Sequence, residues 1–170
     1  MNIARKIRDA SRLTGEFVLR SGEVSDTYFD KYLFESDPTL LRAIAEELAV
    51  LVPQGTDVIA GIEMGGIPVV TAVSQVTGIP AAFIRKKRKE YGTQKYAEGP
   101  ELEGKNVVIV EDVVSSGGAI LNILAMLNAD DVAPTIALCV IDRESGGKEA
   151  LGARGVELRS LFTMSEIENS

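Results

Sequence analysis

The chain has 170 residues, 45% of them hydrophobic, and a formal net charge of −7. This length allows one domain with a substantial core but not two full domains, and the acidic balance argues against nucleic-acid binding by bulk electrostatics. Because the sequence contains no histidine, a Ser-His-Asp triad, a His-ligated zinc ion and a histidine general base are excluded.

The sequence also predicts where the protein resides. The N-terminus lacks the apolar core of a signal peptide, and no apolar run reaches the length of a membrane span. The single cysteine, Cys139, lies in the apolar run 135–141, where a small core residue is expected rather than a nucleophile or ligand. We therefore expect a soluble cytoplasmic protein that binds no membrane.

Two regions with different patterns follow each other along the chain. The first 35 residues predict an amphipathic helix and two short strands near 17–19 and 27–31, which we expect to form a small hood over the edge of a sheet. In residues 36–170, apolar strand-like runs alternate with helical patterns, which predicts one α/β domain with a mostly parallel central sheet flanked by helices. The predicted strands are 58–61, 81–84, 107–110, 135–141 and 156–161, and the predicted helices are 38–51, 67–76, 119–127 and 148–153.

The most informative segment is 106–120, which predicts a buried strand, a loop of small residues and a helix. The Ser-Ser-Gly-Gly sequence at 115–118 falls at the helix entry, where free backbone N–H groups bind anions such as phosphate. Glu111 and Asp112 follow the strand, and the natural partners of carboxylates beside a phosphate are sugar hydroxyls or a phosphate-bound divalent cation. The segment lacks the Walker and dinucleotide glycine patterns. A phosphorylated sugar is therefore the predicted ligand, and an ordinary strand-to-helix turn is the alternative.

Two further loops carry weaker signals. The sequence Gly-Ile-Glu-Met-Gly-Gly-Ile-Pro at 61–68 follows a strand and opens a helix, so it predicts either a second anion site or a tight turn. Residues 85–89 are five consecutive basic residues, which are typical of a solvated loop or a nucleic-acid patch. Their position after a predicted strand favours a lid that closes over a polyanion, with mobility supplied by the glycines and polar residues of 92–99.

The segment Val-Ile-Val-Glu-Asp-Val-Val-Ser-Ser-Gly-Gly-Ala resembles the phosphoribosyl pyrophosphate (PRPP) motif of the type I phosphoribosyltransferases. The resemblance implies that the acidic pair holds the ribose hydroxyls and the following loop wraps the 5-phosphate. The loop at Met64, Gly65 and Gly66 matches the family's pyrophosphate loop. The PRPP-binding residues implied by the motif are Glu111, Asp112, Val113, Val114, Ser115, Ser116, Gly117, Gly118 and Ala119.

Three other segments are similar to the orotate phosphoribosyltransferases within that family. The basic lid matches their catalytic loop, which implies PRPP binding by Arg85, Lys86, Lys89 and Tyr91 and catalytic roles for Lys89, Arg85 and Asp112. Some members carry histidine in place of Tyr91, so an acid-base role at that position does not carry over. The residues implied for the pyrimidine site are Arg20, Tyr28, Phe29, Ser115 and Arg143.

The resemblance implies transfer of a phosphoribosyl group from PRPP to orotate in pyrimidine (UMP) biosynthesis. It also implies Mg²⁺ carried by PRPP without direct protein ligands, and a homodimer that shares its lid across the interface. The alternatives are a transferase for a purine or another base, and a non-catalytic PRPP-binding regulator of the same fold. The acidity and shortness of the chain argue against a regulator that binds nucleic acid.

Overall fold

The computed structural model describes residues 2–19, 21–87 and 95–170. The helices are α1 (Ile3–Ser11), α2 (Lys31–Ser36), α3 (Pro38–Leu51), α4 (Gly66–Thr77), α5 (Gly118–Ala129), α6 (Gly147–Gly152) and α7 (Met164–Glu168). The strands are β1 (Arg12–Val18), β2 (Val24–Phe29), β3 (Val58–Ile62), β4 (Ala81–Ile84), β5 (Ala97–Glu98), β6 (Val107–Val114), β7 (Ile136–Asp142) and β8 (Glu157–Thr163).

The central sheet has six strands in the order β5-β4-β3-β6-β7-β8. All neighbours pair in parallel except β5, which runs antiparallel to β4 at the edge. The expectation of a mostly parallel sheet flanked by helices is therefore confirmed. In such a sheet the carboxyl ends of β3, β6 and β7 lie at one edge, where ligands of open α/β folds bind.

Two apolar clusters cover the two faces of this sheet. One joins Ile44 and Leu48 of α3 and Val70 of α4 to Val108 and Val110 of β6. The other joins Ile123 and Leu127 of α5 and Leu151 of α6 to the alternate β6 residues Val107 and Ile109. Because strand side chains alternate between faces, β6 supplies both clusters and lies at the centre of the fold.

Strand β6 is longer than the sequence predicts. Its ladder with β7 continues through Glu111, Val113 and Val114, which pair with Cys139, Ile141 and Asp142. The prediction that the strand ends at residue 110 is therefore wrong, since the acidic pair lies within the strand and not in the loop behind it. Pairing with a long neighbour extends a strand past the end of its apolar run.

The hood differs from the prediction at its C-terminal end. Strands β1 and β2 form a separate antiparallel pair, but β2 ends at Phe29 and the chain then enters α2. Asp30 begins that helix, because its Oδ1 accepts a hydrogen bond from the backbone N–H of Tyr32 at 3.1 Å. The assignment of residues 27–31 to one strand is thus wrong at Lys31, and the predicted boundary at residue 35 falls inside α2.

The sequence predictions for the remaining elements are close to the structure. Helix α3 and strand β4 have the predicted bounds, whereas the two-residue strand β5 and the short helix α7 were not predicted. Cys139 is fully buried in β7, and burial raises the pKa of its thiol, as expected for a core residue. Within the described residues, no helix is long and apolar enough to cross a membrane.

Candidate active site

A cavity of about 240 Å³ lies between the ends of β3 and β6 and the start of α5. Its wall contains the loop from Ser115 to Gly118, and Gly117 adopts φ +77°, a left-handed conformation that glycine accepts without strain. The free N–H groups of the first turn of α5 therefore lie at the cavity, as the sequence predicts for a phosphate site.

This loop is supported from behind by the connection between β7 and α6. A Cβ atom on Gly147 would lie 2.5 Å from the carbonyl oxygen of Ser115, so only glycine allows these two backbone segments to approach so closely. The backbone N–H of Arg143 also donates to the carbonyl of Val114 at 2.8 Å. The phosphate loop is thus held in place by contacts distant in sequence.

The second loop follows β3 and packs against the acidic pair. Its Glu63–Met64 peptide bond is cis, and the Met64 side chain is exposed at the cavity. A Cβ atom on Gly66 would lie 2.7 Å from Oε1 of Glu111, and one on Gly65 would overlap the Asp112 carboxylate. The two glycines therefore let the predicted pyrophosphate loop lie directly on the predicted ribose site.

The two carboxylates of β6 have different environments, because successive residues of a strand point to opposite faces. Glu111 lines the cavity and is 9% exposed, and burial, together with the charge of Asp112, raises its pKa to about 8. Asp112 is fully buried and does not line the cavity. Its Oδ2 lies 2.6 Å from Nζ of Lys31, and its Oδ1 accepts from the N–H of Val113 at 2.7 Å.

The N-terminal end of the predicted lid is anchored by contacts of Arg85 and Lys86. Lys86 lines the cavity, and its backbone N–H donates to Oε1 of Glu63 at 2.8 Å. The Arg85 side chain instead pairs with Glu98, with Nε and Oε1 3.1 Å apart, so the structure does not bring it to the cavity. Residues 88–94, with Lys89 and Tyr91, lie outside the described part of the chain, as does Arg20.

An aromatic cavity of about 200 Å³ adjoins the first one. Tyr28, Phe29 and Arg143 line it, and the Arg143 guanidinium carbon lies 5.9 Å from the centre of the Phe29 ring. Glu144 accepts a hydrogen bond from the backbone N–H of Ser165 at 2.9 Å. The structure therefore brings together the aromatic pair and the arginine that the sequence assigned to a pyrimidine.

The two cavities share four residues of their walls, Lys31, Tyr32, Val113 and Ser115. A ligand in one would touch a ligand in the other, which suits group transfer between two bound molecules.

Sequence reasoning missed Lys31, Tyr32 and Glu63. Asp30 as a helix cap was the signal for the first two, since it places them on a helix entering the site.

A larger cavity, of about 390 Å³, lies elsewhere beside Lys95 and Tyr96. Its wall carries four acidic residues, Glu101, Glu103, Asp130 and Asp131. Such a wall repels phosphate groups, so size alone does not mark the site of a phosphorylated ligand.

These features define a class of protein that binds a phosphorylated sugar beside a planar acceptor. Residues 37–155 match the family model described as phosphoribosyl transferase domain. The chain therefore belongs to the phosphoribosyltransferase family, which confirms the resemblance drawn from the sequence.

Several similar proteins within the family carry the same name. The chain is 46% identical to an orotate phosphoribosyltransferase of a Nocardioides species, covering 98% of this chain and 93% of that one. It is 42% identical to the Methanocella arvoryzae orotate phosphoribosyltransferase over 90% of this chain and 87% of that one. The crystal structure of the Mycobacterium tuberculosis enzyme of that name with Fe(III) dicitrate superposes with a TM-score of 0.87 at 28% identity, covering 97% and 96% of the two chains. Another structure of that enzyme, in complex with PRPP, gives a TM-score of 0.83 at 25% identity, covering 98% and 96%.

Proposed function

We propose that this protein is an orotate phosphoribosyltransferase, which converts orotate and PRPP to orotidine 5′-monophosphate and pyrophosphate in pyrimidine (UMP) biosynthesis. The observation that carries the proposal is the shared wall between a phosphate-binding cavity and an aromatic cavity that contains an arginine. Relatives of that name cover nearly the whole chain, which supports the same activity here.

The donor fits the first cavity as follows. The 5-phosphate accepts hydrogen bonds from the N–H groups of the loop 115–118, and the pyrophosphate lies beside Met64–Gly66 and the ammonium group of Lys86. Glu111 accepts a hydrogen bond from a ribose hydroxyl, while the direct contact of Asp112 with the ribose stays a prediction. Bringing Asp112 into contact requires a shift of the loop at Gly65 that covers it.

The acceptor fits the aromatic cavity. The orotate ring stacks on Tyr28 or Phe29, and its carboxylate receives two hydrogen bonds from Arg143. A ring nitrogen then attacks the anomeric carbon as pyrophosphate leaves through an oxocarbenium-like state. Such a reaction needs positioning and charge stabilisation more than a strong base, which agrees with a site without histidine.

The residues present suit a magnesium ion that the substrate carries. Among the described residues, no group of three or more acidic, thiol or imidazole side chains is arranged to hold a metal ion. We propose that Mg²⁺ is held by pyrophosphate, ribose hydroxyls and water, and that it neutralises charge on the leaving group. The lid roles of Arg85, Lys89 and Tyr91, the homodimer with exchanged lids, the single-domain organisation and the cytoplasmic location also stay predictions.

The test is steady-state turnover with orotate and, separately, with adenine, guanine and hypoxanthine, each with PRPP and Mg²⁺. We expect turnover with orotate alone. Turnover with a purine would favour a transferase for another base, and PRPP binding without any turnover would favour a PRPP-binding regulator. Arg143→Met should raise the KM for orotate by roughly ten- to a hundredfold, as expected when hydrogen bonds to a charged group are lost. Arg154→Met, at another exposed arginine, is the matched control and should leave this KM unchanged.

A further inference from the structure

A buried glutamate that belongs to neither cavity wall lies next to the acidic pair. Glu35 of α2 is 6% exposed, and neither of its carboxylate oxygens receives a hydrogen bond from a described N–H or O–H group. Burying an ionised carboxylate without a donor is costly, so such a group either finds a cation or keeps its proton.

The neighbours of Glu35 decide between these two states. The charged groups that face it are Asp112 and Glu111 of β6 and Lys31 of its own helix. Helices α1 and α3, which pack against α2, bury only uncharged side chains at their contacts with the core. Lys31 is already 2.6 Å from Asp112, and the charge of Lys86 acts on Glu111 from the cavity wall. Glu35 is therefore left without a cation of its own, which favours its neutral, protonated form.

Glu35 is the group best suited to hold that proton. Asp112 already has two partners, since Nζ of Lys31 lies 2.6 Å from its Oδ2 and the N–H of Val113 donates to its Oδ1. Of the Glu111 oxygens only Oε1 is buried without a hydrogen-bond partner, whereas both oxygens of Glu35 are. Burial, together with the neighbouring Asp112 carboxylate, raises the pKa of Glu35 to about 9. A neutral carboxyl group is a donor, and the Asp112 carboxylate is its acceptor.

We propose that Glu35 is a positioning residue that donates a hydrogen bond, as a neutral carboxylic acid, to the Asp112 carboxylate and so fixes the PRPP motif from behind. Lys31 and Glu35 are four residues apart, so both lie on the face of α2 that meets Asp112. Asp112 in turn lies under Gly65 of the second loop, so the position of this carboxylate sets the position of that loop in the donor cavity. This inference rests on the proposed function.

Two variants separate a hydrogen-bond role from simple packing. Glu35→Gln keeps a neutral donor at every pH, whereas Glu35→Leu keeps the volume and removes the donor. Calorimetric titration with PRPP in buffer containing Mg²⁺ at pH 7.5 should give near wild-type affinity for Glu35→Gln. For Glu35→Leu it should give an affinity roughly ten- to a hundredfold weaker, the range expected for loss of a hydrogen bond to a charged group. Glu47→Gln, at an exposed glutamate of α3, is the matched control.

A second titration at pH 9.5 tests the protonation state. Wild-type affinity should fall between pH 7.5 and 9.5, because a second negative charge appears beside Asp112, and the fall should be smaller in Glu35→Gln. Three results would each overturn the inference. They are a wild-type affinity for PRPP in a folded Glu35→Leu protein, an equal loss of PRPP affinity in both variants, and the same pH dependence of affinity in Glu35→Gln and wild type. If Glu35→Leu does not fold, the two-pH comparison of Glu35→Gln still decides. Wild-type turnover with orotate is measured first, so that a failure of the proposed function is seen separately.

Discussion

Replacement of Gly65 by alanine tests the contact between the second loop and Asp112. Gly65 has φ −66° and ψ −31°, which alanine adopts freely, so the backbone itself does not oppose the change. The new Cβ atom would overlap Oδ2 and Cγ of Asp112 and lie 2.9 Å from Oδ1. Because Asp112 is buried and held by Lys31, it cannot move aside without losing that ion pair.

The expected cost follows from this geometry. An added methyl group in a closely packed site costs about 1–3 kcal/mol of unfolding free energy, and the same displacement should weaken PRPP binding by roughly five- to a hundredfold. Urea unfolding and calorimetry with PRPP measure the two effects. Gly152→Ala is the matched control, because a Cβ atom there has no neighbour within 4 Å, and we expect its stability to be unchanged or slightly raised.

A double-mutant cycle identifies the partner of the clash. In an Asp112→Ala background the carboxylate is gone, so Gly65→Ala should then cost less than about 0.5 kcal/mol. Equal costs of Gly65→Ala in both backgrounds would show that the alanine meets something other than Asp112. A Gly65→Ala protein with wild-type stability and PRPP affinity would refute the contact itself.

Four further predictions concern charge in the site. Asp112→Asn should weaken PRPP binding and lower turnover, and Lys89→Ala should lower kcat more than it weakens orotate binding. Calorimetry and steady-state kinetics check both predictions. Wild-type binding and turnover in a variant would refute the role of the residue replaced. Mixing these two variants should restore activity if each lid serves the partner subunit, whereas no recovery despite subunit exchange would place each lid on its own site. Because the pKa values of Glu111 and Glu35 are raised in the folded protein, stability should fall as the pH rises from about 4.5 towards 8–9. Urea unfolding at several pH values gives the free energy of unfolding as a function of pH. In this range its slope against pH should be shallower by about 1.4 kcal/mol per pH unit in Glu35→Gln than in wild type, and an unchanged slope would contradict a neutral Glu35.

The sequence alone determined the features that depend on neighbours along the chain. Helix α3 has its predicted bounds because Asp37 caps it, accepting hydrogen bonds from the N–H groups of Thr39 and Leu40, and its apolar residues repeat at helical spacing. The phosphate loop was predicted for the same reason, since a strand, four small residues and a helix follow each other directly. Such local signals also identify the family.

Only the tertiary structure decided how the charges of the site are paired. Lys31 and Glu35 are about eighty residues from Asp112 in the sequence, and they meet it because the fold brings one face of α2 to this carboxylate. The two adjacent carboxylates, which look alike in the sequence, are separated by the alternation of the strand into one that lines the cavity and one that is buried. The Arg85 side chain, assigned to PRPP from its position in the basic run, is paired with Glu98 across the β4–β5 edge in this structure, and its role towards PRPP stays a prediction. The physical reason is that ionic partners are chosen by distance and burial in the folded protein, which spacing along the chain does not encode.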